Sequence, residues 1–427
     1  LSIVPEVFRV NYNGKSYKTA ADPLLNKAMS DEMRENYSEL FEDLFSIFVD
    51  GISEGRSWEK QKTLDVINNG PYLITRDALK AGLISGIMYP SEFENYVNSL
   101  NNEKNTILKF EDLLQTDQYS NEWKSEKKEK IAVIYAVGGI QSGKSNPGPQ
   151  GSSIMGDKTI MESIKAARED DDIKAIVLRI DSGGGSALAS DHMWSEIIKT
   201  TKTDTLNLKP FIASMSDVAA SGGYYIACEA DTILADEATI TGSIGVIGLR
   251  LNFSQLQKRF GVNQETLKFG ENSDFLSSSR LMTEQEYDVM QASINDTYDL
   301  FKKRVQSGRK NISANDNLDE VAMGRVFTGK RALDLDLALI DKLGDLNDAI
   351  EVAKNSANIK GEVEIVEYPR KKKSDKGFSF EVNTYIEKKI TDALPEPLKS
   401  DWQYIRSMDG FKNENSLMIL PYKIEFE

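Results

Sequence analysis

The sequence predicts an α/β protein built around a mostly parallel sheet, and three features carry that expectation. Apolar runs of strand length occur at 131–137 and 175–180, and residues 160–169 between them repeat their apolar side chains at helical spacing. Strand, helix, strand in that order is how parallel neighbours are joined. The second run and a third at 210–214 both lead into glycine turns, Asp181-Ser-Gly-Gly-Gly-Ser186 and Val218-Ala-Ala-Ser-Gly-Gly-Tyr-Tyr-Ile-Ala227. Each turn opens a helix, so two adjacent strands would end in loops that present unpaired N–H groups.

The size and composition set limits on this expectation. A chain of 427 residues exceeds one ordinary core, so two or more domains are expected. With 40% hydrophobic and 28% charged residues it reads as soluble and folded. A net charge of −15 argues against a nucleic-acid partner, and the short basic runs 124–130 and 370–373 read as solvated loops. Cys228 is the only cysteine, which excludes an intrachain disulfide and a zinc site of Cys/His type. Neither a metal nor a cofactor is expected. No run of about 18 apolar residues occurs, and no basic segment leads into an apolar one near Leu1. Because the sequence starts at Leu, an upstream segment is expected to lie outside it.

Comparing the chain with itself reveals a weak repeat. Residues 29–56 align without a gap to 282–309, with identities at Met29/Met282, Asp43/Asp296, Phe48/Phe301, Gly55/Gly308 and Arg56/Arg309. In the first copy Met33, Tyr37, Leu40, Phe41, Leu44, Phe45 and Phe48 share one face of a helix expected over 30–52 and are assigned to core or a subunit contact. Only about 100 residues before the linker fall to the first copy, so the chain is expected to begin partway through it. The division that follows is 1–100 for the end of the first repeat and 101–130 for a linker. Residues 131–355 form the second repeat, and 356–427 a C-terminal extension whose apolar stretch 417–426 docks on the body or on a neighbour.

Ser221 is the candidate nucleophile. It stands between small residues and the pair Gly222-Gly223 where a strand gives way to a helix, so it is sterically open and close to backbone N–H donors. The single histidine, His192, lies on the helix expected over 187–200 and has no evident acid partner, so it reads as structural or solvent-facing. That directs attention to a serine activated by lysine. On the same helix Leu188, Met193, Ile197 and Ile198 form the expected buried face, and Cys228 reads as a small buried residue. The 181–186 turn alone fits a phosphate loop, a CoA-type site or a plain tight turn. No Gly-Lys-Ser/Thr ending follows it, which argues against a nucleotide P-loop.

Taken together, Asp181-Ser-Gly-Gly-Gly-Ser186, Ala219-Ala-Ser-Gly-Gly-Tyr224 and Thr241-Gly-Ser-Ile-Gly245, continuing through 282–341, resemble the signal peptide peptidase A (protease IV) family in its long, two-repeat form. The resemblance implies a Clp/crotonase-like β-α superhelix of two tandem repeats, the first incomplete here, with Ser221 as nucleophile and a lysine as general base. In the long form the lysine belongs to a first-repeat motif resembling G-x-Y-K-S-A-x-E-P-F. Gly14-Lys-Ser-Tyr-Lys-Thr-Ala-Ala-Asp-Pro23 fits with a small insertion and with Leu24 in place of phenylalanine. This puts the base at Lys18, with Lys15 in the same loop as the alternative. The corresponding second-repeat window, 270–281, holds no lysine.

By the same resemblance Ser243 orients the amine, and backbone N–H groups of Gly184, Gly185 and Gly222 form the oxyanion hole. Asp181 and Gly183 depart from the Asn and Pro common in the family. A free lysine titrates near about 10.4 and is protonated at neutrality, so the base needs a desolvated pocket without carboxylates. The implied protein is a serine endopeptidase that degrades apolar or unfolded peptides such as signal-peptide remnants. The resemblance further implies a homotetramer in the bacterial cell envelope, at the inner membrane facing the periplasm, attached through a segment absent from this chain. Two alternatives share the fold. An acyl-CoA enzyme would not need Lys18 beside Ser221, and a catalytically inactive scaffold would not need the set Ser221, Lys18 and Ser243.

Overall fold

A computed structural model describes residues 2–100, 128–147, 153–370 and 417–419. The chain forms two compact units, one made of Leu1–Asp43 with Glu129–Glu427 and the other of Leu44–Lys128. Compact units and repeat boundaries are different divisions of the chain. Leu1–Asp43 belongs to the first unit because its strand and loop pair within that unit.

The larger sheet of the first unit runs, in spatial order, Val326–Thr328, Ile240–Gly242, Phe211–Ala220, Ile173–Ser182, Glu129–Val137 and Val363–Tyr368. From Ile240–Gly242 onward every pairing is parallel. A sheet of this kind is buried on both faces, and its side chains alternate between two cores. Ile176, Leu178 and Ile180 join Ile160 and Ile164 of the Asp157–Glu169 helix, while Ala175 and Val177 join Ala349 and Ala353 of the Leu346–Ser356 helix. The strands expected at 131–137, 175–180 and 210–214 are therefore present and longer. The helix expected over 30–52 spans Asp31–Arg56.

One sequence expectation about a helix face is corrected and another is narrowed. In the Ala187–Ile198 helix Met193 and Ile197 are fully buried and Ile198 half-buried, but Leu188 is exposed. Five residues of α-helix turn it about 140° away from Met193, so the two cannot share a face. In the Asp31–Arg56 helix Leu40 is buried, whereas Phe41, Phe45 and Phe48 are exposed, which leaves the core to Leu40 and these aromatics to the other assignment made for the face, a subunit contact.

The second sheet runs Val4–Arg9, Ile247–Asn252, Leu417–Ile419, Gly184–Ser186, Gly139–Gln141, Ser153–Gly156 and Asn146–Pro147. Its first two strands are antiparallel, with Val4 opposite Asn252 and Arg9 opposite Ile247. This pairing holds residues from the start of the chain beside the 241–245 turn. The apolar stretch at 417–426 does dock on the body through Leu417–Ile419. Residues 420–426, the linker at 101–127 and the extension at 371–416 lie outside the described residues.

The described part of the second unit is helical, with helices Lys60–Asn68, Thr75–Ala81 and Pro90–Leu100. Buried Ser53 and Thr63 share a 2.8 Å hydroxyl hydrogen bond, and Lys62 Nζ stands 4.2 Å over the Trp58 ring. Gly82 ends the Thr75–Ala81 helix at φ 79°, with Trp58 only 2.9 Å from where a Cβ would lie.

Candidate active site

Ser221 separates the Phe211–Ala220 strand from the Gly222–Ala227 helix and adopts φ 56°, ψ −115°. Such a conformation costs an L-residue on the order of 1–3 kcal/mol and persists only where the surroundings enforce it. Its N–H donates to the Gly242 carbonyl at 2.8 Å, and its carbonyl accepts from the Tyr225 N–H at 2.8 Å. The glycine pair after it permits close approach. A Cβ on Gly222 would lie 2.7 Å from Ser190 Oγ and 3.1 Å from Gly184 Cα, and one on Gly223 would lie 2.5 Å from the Ser182 carbonyl oxygen.

Lys18 arrives from the far end of the sequence. After the Val4–Arg9 strand the chain turns at Tyr12 and Lys15, and residues 16–22 are all buried. Arg9 Nη1 pairs with buried Asp22 Oδ1 at 2.5 Å and Ser30 Oγ donates to Asp22 Oδ2 at 2.6 Å, which ties the two ends of this loop together. Lys18 Nζ lies 2.8 Å from Ser221 Oγ, 2.8 Å from Ser243 Oγ and 3.1 Å from the Ser243 carbonyl oxygen. All three residues are fully buried. Burial holds the amine well below its ordinary value, with no carboxylate beside it among the described residues to oppose the shift. A neutral amine has two N–H groups and one lone pair. With the N–H groups donated to Ser243, the lone pair is left for the Ser221 hydroxyl.

Ser243 has φ 51°, and its N–H donates to the Arg325 carbonyl at 2.6 Å. Residues 323–325, which the sequence reading missed, wall the pocket. Tyr17 N–H donates to the Met323 carbonyl at 3.0 Å, and Gly324 N–H to the Ile244 carbonyl at 2.9 Å. At φ 91° a Cβ on Gly324 would lie 2.7 Å from the Lys18 backbone nitrogen. The Arg325 guanidinium stacks 3.6 Å over the Tyr17 ring, and the Tyr17 hydroxyl donates to Glu35 at 2.8 Å. Burial and that carboxylate push the phenol up to about 12. A lone glycine in Met-Gly-Arg carries no local signal of this role.

The Gly184–Ser186 strand brings the other turn to the same place. A Cβ on Gly184 would lie 2.6 Å from Gly222 N, so the two glycine turns converge as expected. The Gly184 N–H donates to Ser182 Oγ at 3.1 Å, and Gly185 pairs with Ile140. Asp181 is half-buried, and burial together with Asp217 raises its carboxyl. Lys15, the alternative lysine, is exposed in the turn.

His192 requires a correction, because it does have an acid partner. Its Nδ1 lies 2.8 Å from Asp157 Oδ2, a residue 35 positions earlier and therefore not evident from local sequence. The imidazole is exposed. Cys228 is buried as expected, its thiol pushed up by that burial and donating to the Tyr225 carbonyl at 3.2 Å.

The site is thus a serine and a lysine amine side by side at the centre of an α/β unit. The profile of peptidase family S49 matches residues 204–360, which include Ser221 and Ser243. The chain is 38% identical over 367 residues to the serine protease SPPA, chloroplastic, of Arabidopsis thaliana, covering 84% of this chain and 51% of that protein. It is 30% identical over 376 residues to Protease 4 of Haemophilus influenzae, covering 84% and 57%. A candidate protease of Synechocystis sp. is 33% identical over 251 residues, covering 58% of this chain and 83% of that protein. The chain belongs to peptidase family S49, the signal peptide peptidase A family, and has its Clp/crotonase-like fold. It spans about half the length of the first two relatives.

Proposed function

We propose that this protein is a serine peptidase in which Lys18 is the general base and Ser221 the nucleophile. The observation that carries this is the 2.8 Å approach of a fully buried lysine amine, without a carboxylate partner, to a serine hydroxyl on a strained turn. The neutral amine takes the Ser221 proton as Oγ attacks a peptide carbonyl. The resulting ammonium then protonates the departing amine as the C–N bond breaks. Water, deprotonated by the same amine, hydrolyses the acyl-enzyme and restores both groups. Ser243 fixes the amine through two hydrogen bonds, and the oxyanion is held by N–H groups of the Gly222 and Gly184–Gly185 turns. Gly184 can donate only if its N–H leaves Ser182.

The substrates we propose are extended, apolar peptides of the signal-peptide-remnant kind, cleaved inside a homotetramer in the cell envelope of a bacterium, facing the periplasm. Family membership and the bacterial Protease 4 relatives support this extension. No helix among the described residues is long and apolar enough to cross a membrane. Membrane association through a segment absent from this chain is part of the proposal. Hydrolysis of an apolar fluorogenic peptide by the wild type, Ser221→Ala and Lys18→Ala, each checked for unchanged oligomeric state, tests the dyad. Each variant should lose on the order of 10⁴-fold in kcat/KM. Activity that survives Lys18→Ala places the base elsewhere.

A further inference from the structure

A lysine can act as the base only in a dry pocket, and residues 323–325 form the wall that keeps this one dry. Gly324 lies so close to the Lys18 backbone that no side chain fits between them. The Arg325 carbonyl accepts the Ser243 N–H, so this one turn bears both on the base and on the serine that orients it. The turn is in its place because the first turns of the Asp31–Arg56 helix hold it from outside.

Asn36 makes the firmer of two holds. It is 3% exposed; its Oδ1 accepts the Val326 N–H at 2.9 Å, and its Nδ2 donates to the Val326 carbonyl at 2.9 Å. Val326–Thr328 stands at the end of the larger sheet, paired with Ile240–Gly242. The side-chain amide thus bonds this edge as a further strand would and fixes the backbone next to Arg325. Glu35 holds the side chains. It accepts from the Tyr17 hydroxyl at 2.8 Å and from both Arg325 Nη atoms at 3.3 Å. The other charged groups felt at this cluster are Glu32 on the same helix and Lys15 in the turn before Tyr17.

The internal repeat shows that this hold is not a general property of such a helix. The alignment of 29–56 with 282–309 sets Asp288 against Glu35 and Val289 against Asn36. Val289 is exposed, and its side chain can neither donate nor accept a hydrogen bond. The amide is therefore present in the copy that supplies the lysine and absent from the copy that supplies the serine.

We propose that Asn36, assisted by Glu35, is a positioning residue for the peptidase reaction: it clamps the 323–326 turn against the Lys18 loop, keeping water from the amine and Ser243 in place. The inference rests on the Lys18–Ser221 reading, and its test separates the two. The rate at which a fluorophosphonate labels Ser221 is measured across pH on the full chain and on Asn36→Ala, Glu35→Ala, Glu35→Gln and Asp43→Ala. Circular dichroism checks folding, and Ser221→Ala serves as the blank. In the wild type, labelling falls on the acid side as Lys18 takes up a proton. An opened clamp admits water, which favours the charged amine. In Asn36→Ala and Glu35→Ala that acid limb should therefore move up by about one pH unit, and labelling below it should slow about tenfold. Above the limb both should label at the wild-type rate, which a misfolded fraction would not do. Glu35→Gln keeps an acceptor for the Tyr17 hydroxyl and should lie closer to the wild type than Glu35→Ala. Asp43→Ala breaks the same helix's ion pair with Arg331 and should leave the limb where it is. Glu35 is exposed, so its variants carry the test where Asn36→Ala does not fold. An unmoved limb in folded Asn36→Ala, an unmoved limb in Glu35→Ala where Asn36→Ala does not fold, or an equal shift in Asp43→Ala overturns the clamp and leaves the dyad intact. A Glu35→Gln shift as large as that of Glu35→Ala removes Glu35 from the clamp. No labelling of the wild type overturns the dyad, and the clamp with it.

Discussion

Two buried basic side chains in the first unit are treated in opposite ways. Arg168 is 5% exposed and surrounded by carboxylates, with Glu196 at 2.7 Å, Asp204 at 3.4 Å and Glu169 at 3.8 Å. Lys18 is fully buried and, among the described residues, has only hydroxyls and a carbonyl within hydrogen-bond reach. A guanidinium cannot shed its proton in a protein, so its burial requires partners. An ammonium can shed its proton, and a pocket without anions makes it do so. Burial is common to both sites, and the presence or absence of carboxylates decides whether a charge or a lone pair is kept.

Exchanging the two chemistries tests this contrast most severely. Lys18→Arg puts a permanent charge into a pocket with no anion, and we expect a stability loss on the order of 5 kcal/mol together with loss of peptidase activity. Urea denaturation and the fluorogenic assay check both. Undiminished stability of the Lys18→Arg protein would mean that the pocket admits water or an anion. The converse change, Glu196→Gln, leaves Arg168 short of its nearest partner and should cost about 3 kcal/mol. The kcat/KM of the folded Glu196→Gln variant should stay within about twofold of wild type, because Glu196 takes no part in the proposed chemistry. A loss under about 1 kcal/mol would show that Asp204 and Glu169 suffice to hold Arg168.

Much of this arrangement was legible in the sequence, and what was not has a common physical cause. The parallel sheet could be read because strands covered on both faces are continuous apolar runs, as at 173–182. Ser221 could be read because its turn admits only small residues around it. Lys18 lies 203 residues from Ser221, and no periodicity reports a contact of that separation, so only the motif placed it beside the serine. Nothing local marked Gly324 as the wall of the lysine pocket, Asp157 as the partner of His192, or residues 417–419 as a strand between two glycine-bearing neighbours. Leu188 failed for a different reason. Five residues from Met193 on the same helix, it lies about 140° round from that buried side chain and faces outward.

The mildest test compares Lys18 with itself across pH. In the folded protein the amine is neutral down to its lowered value, whereas in the unfolded chain lysine holds its proton up to about 10.4. Between those limits the unfolded state binds more protons, so the lysine's contribution to stability rises by about 1.4 kcal/mol per pH unit. Below the lowered value both states are protonated and the dependence vanishes. Lys18→Met removes this term and keeps an unbranched side chain in the pocket. The variant should therefore be the more stable protein near neutrality, and its advantage should shrink by about 1.4 kcal/mol for each unit between about pH 7 and 9. Other titrating groups are common to both proteins and cancel in the difference. Paired urea denaturation curves supply the measurement. A gap that does not change with pH would mean that Lys18 keeps its proton on folding, which would leave Ser221 without a base.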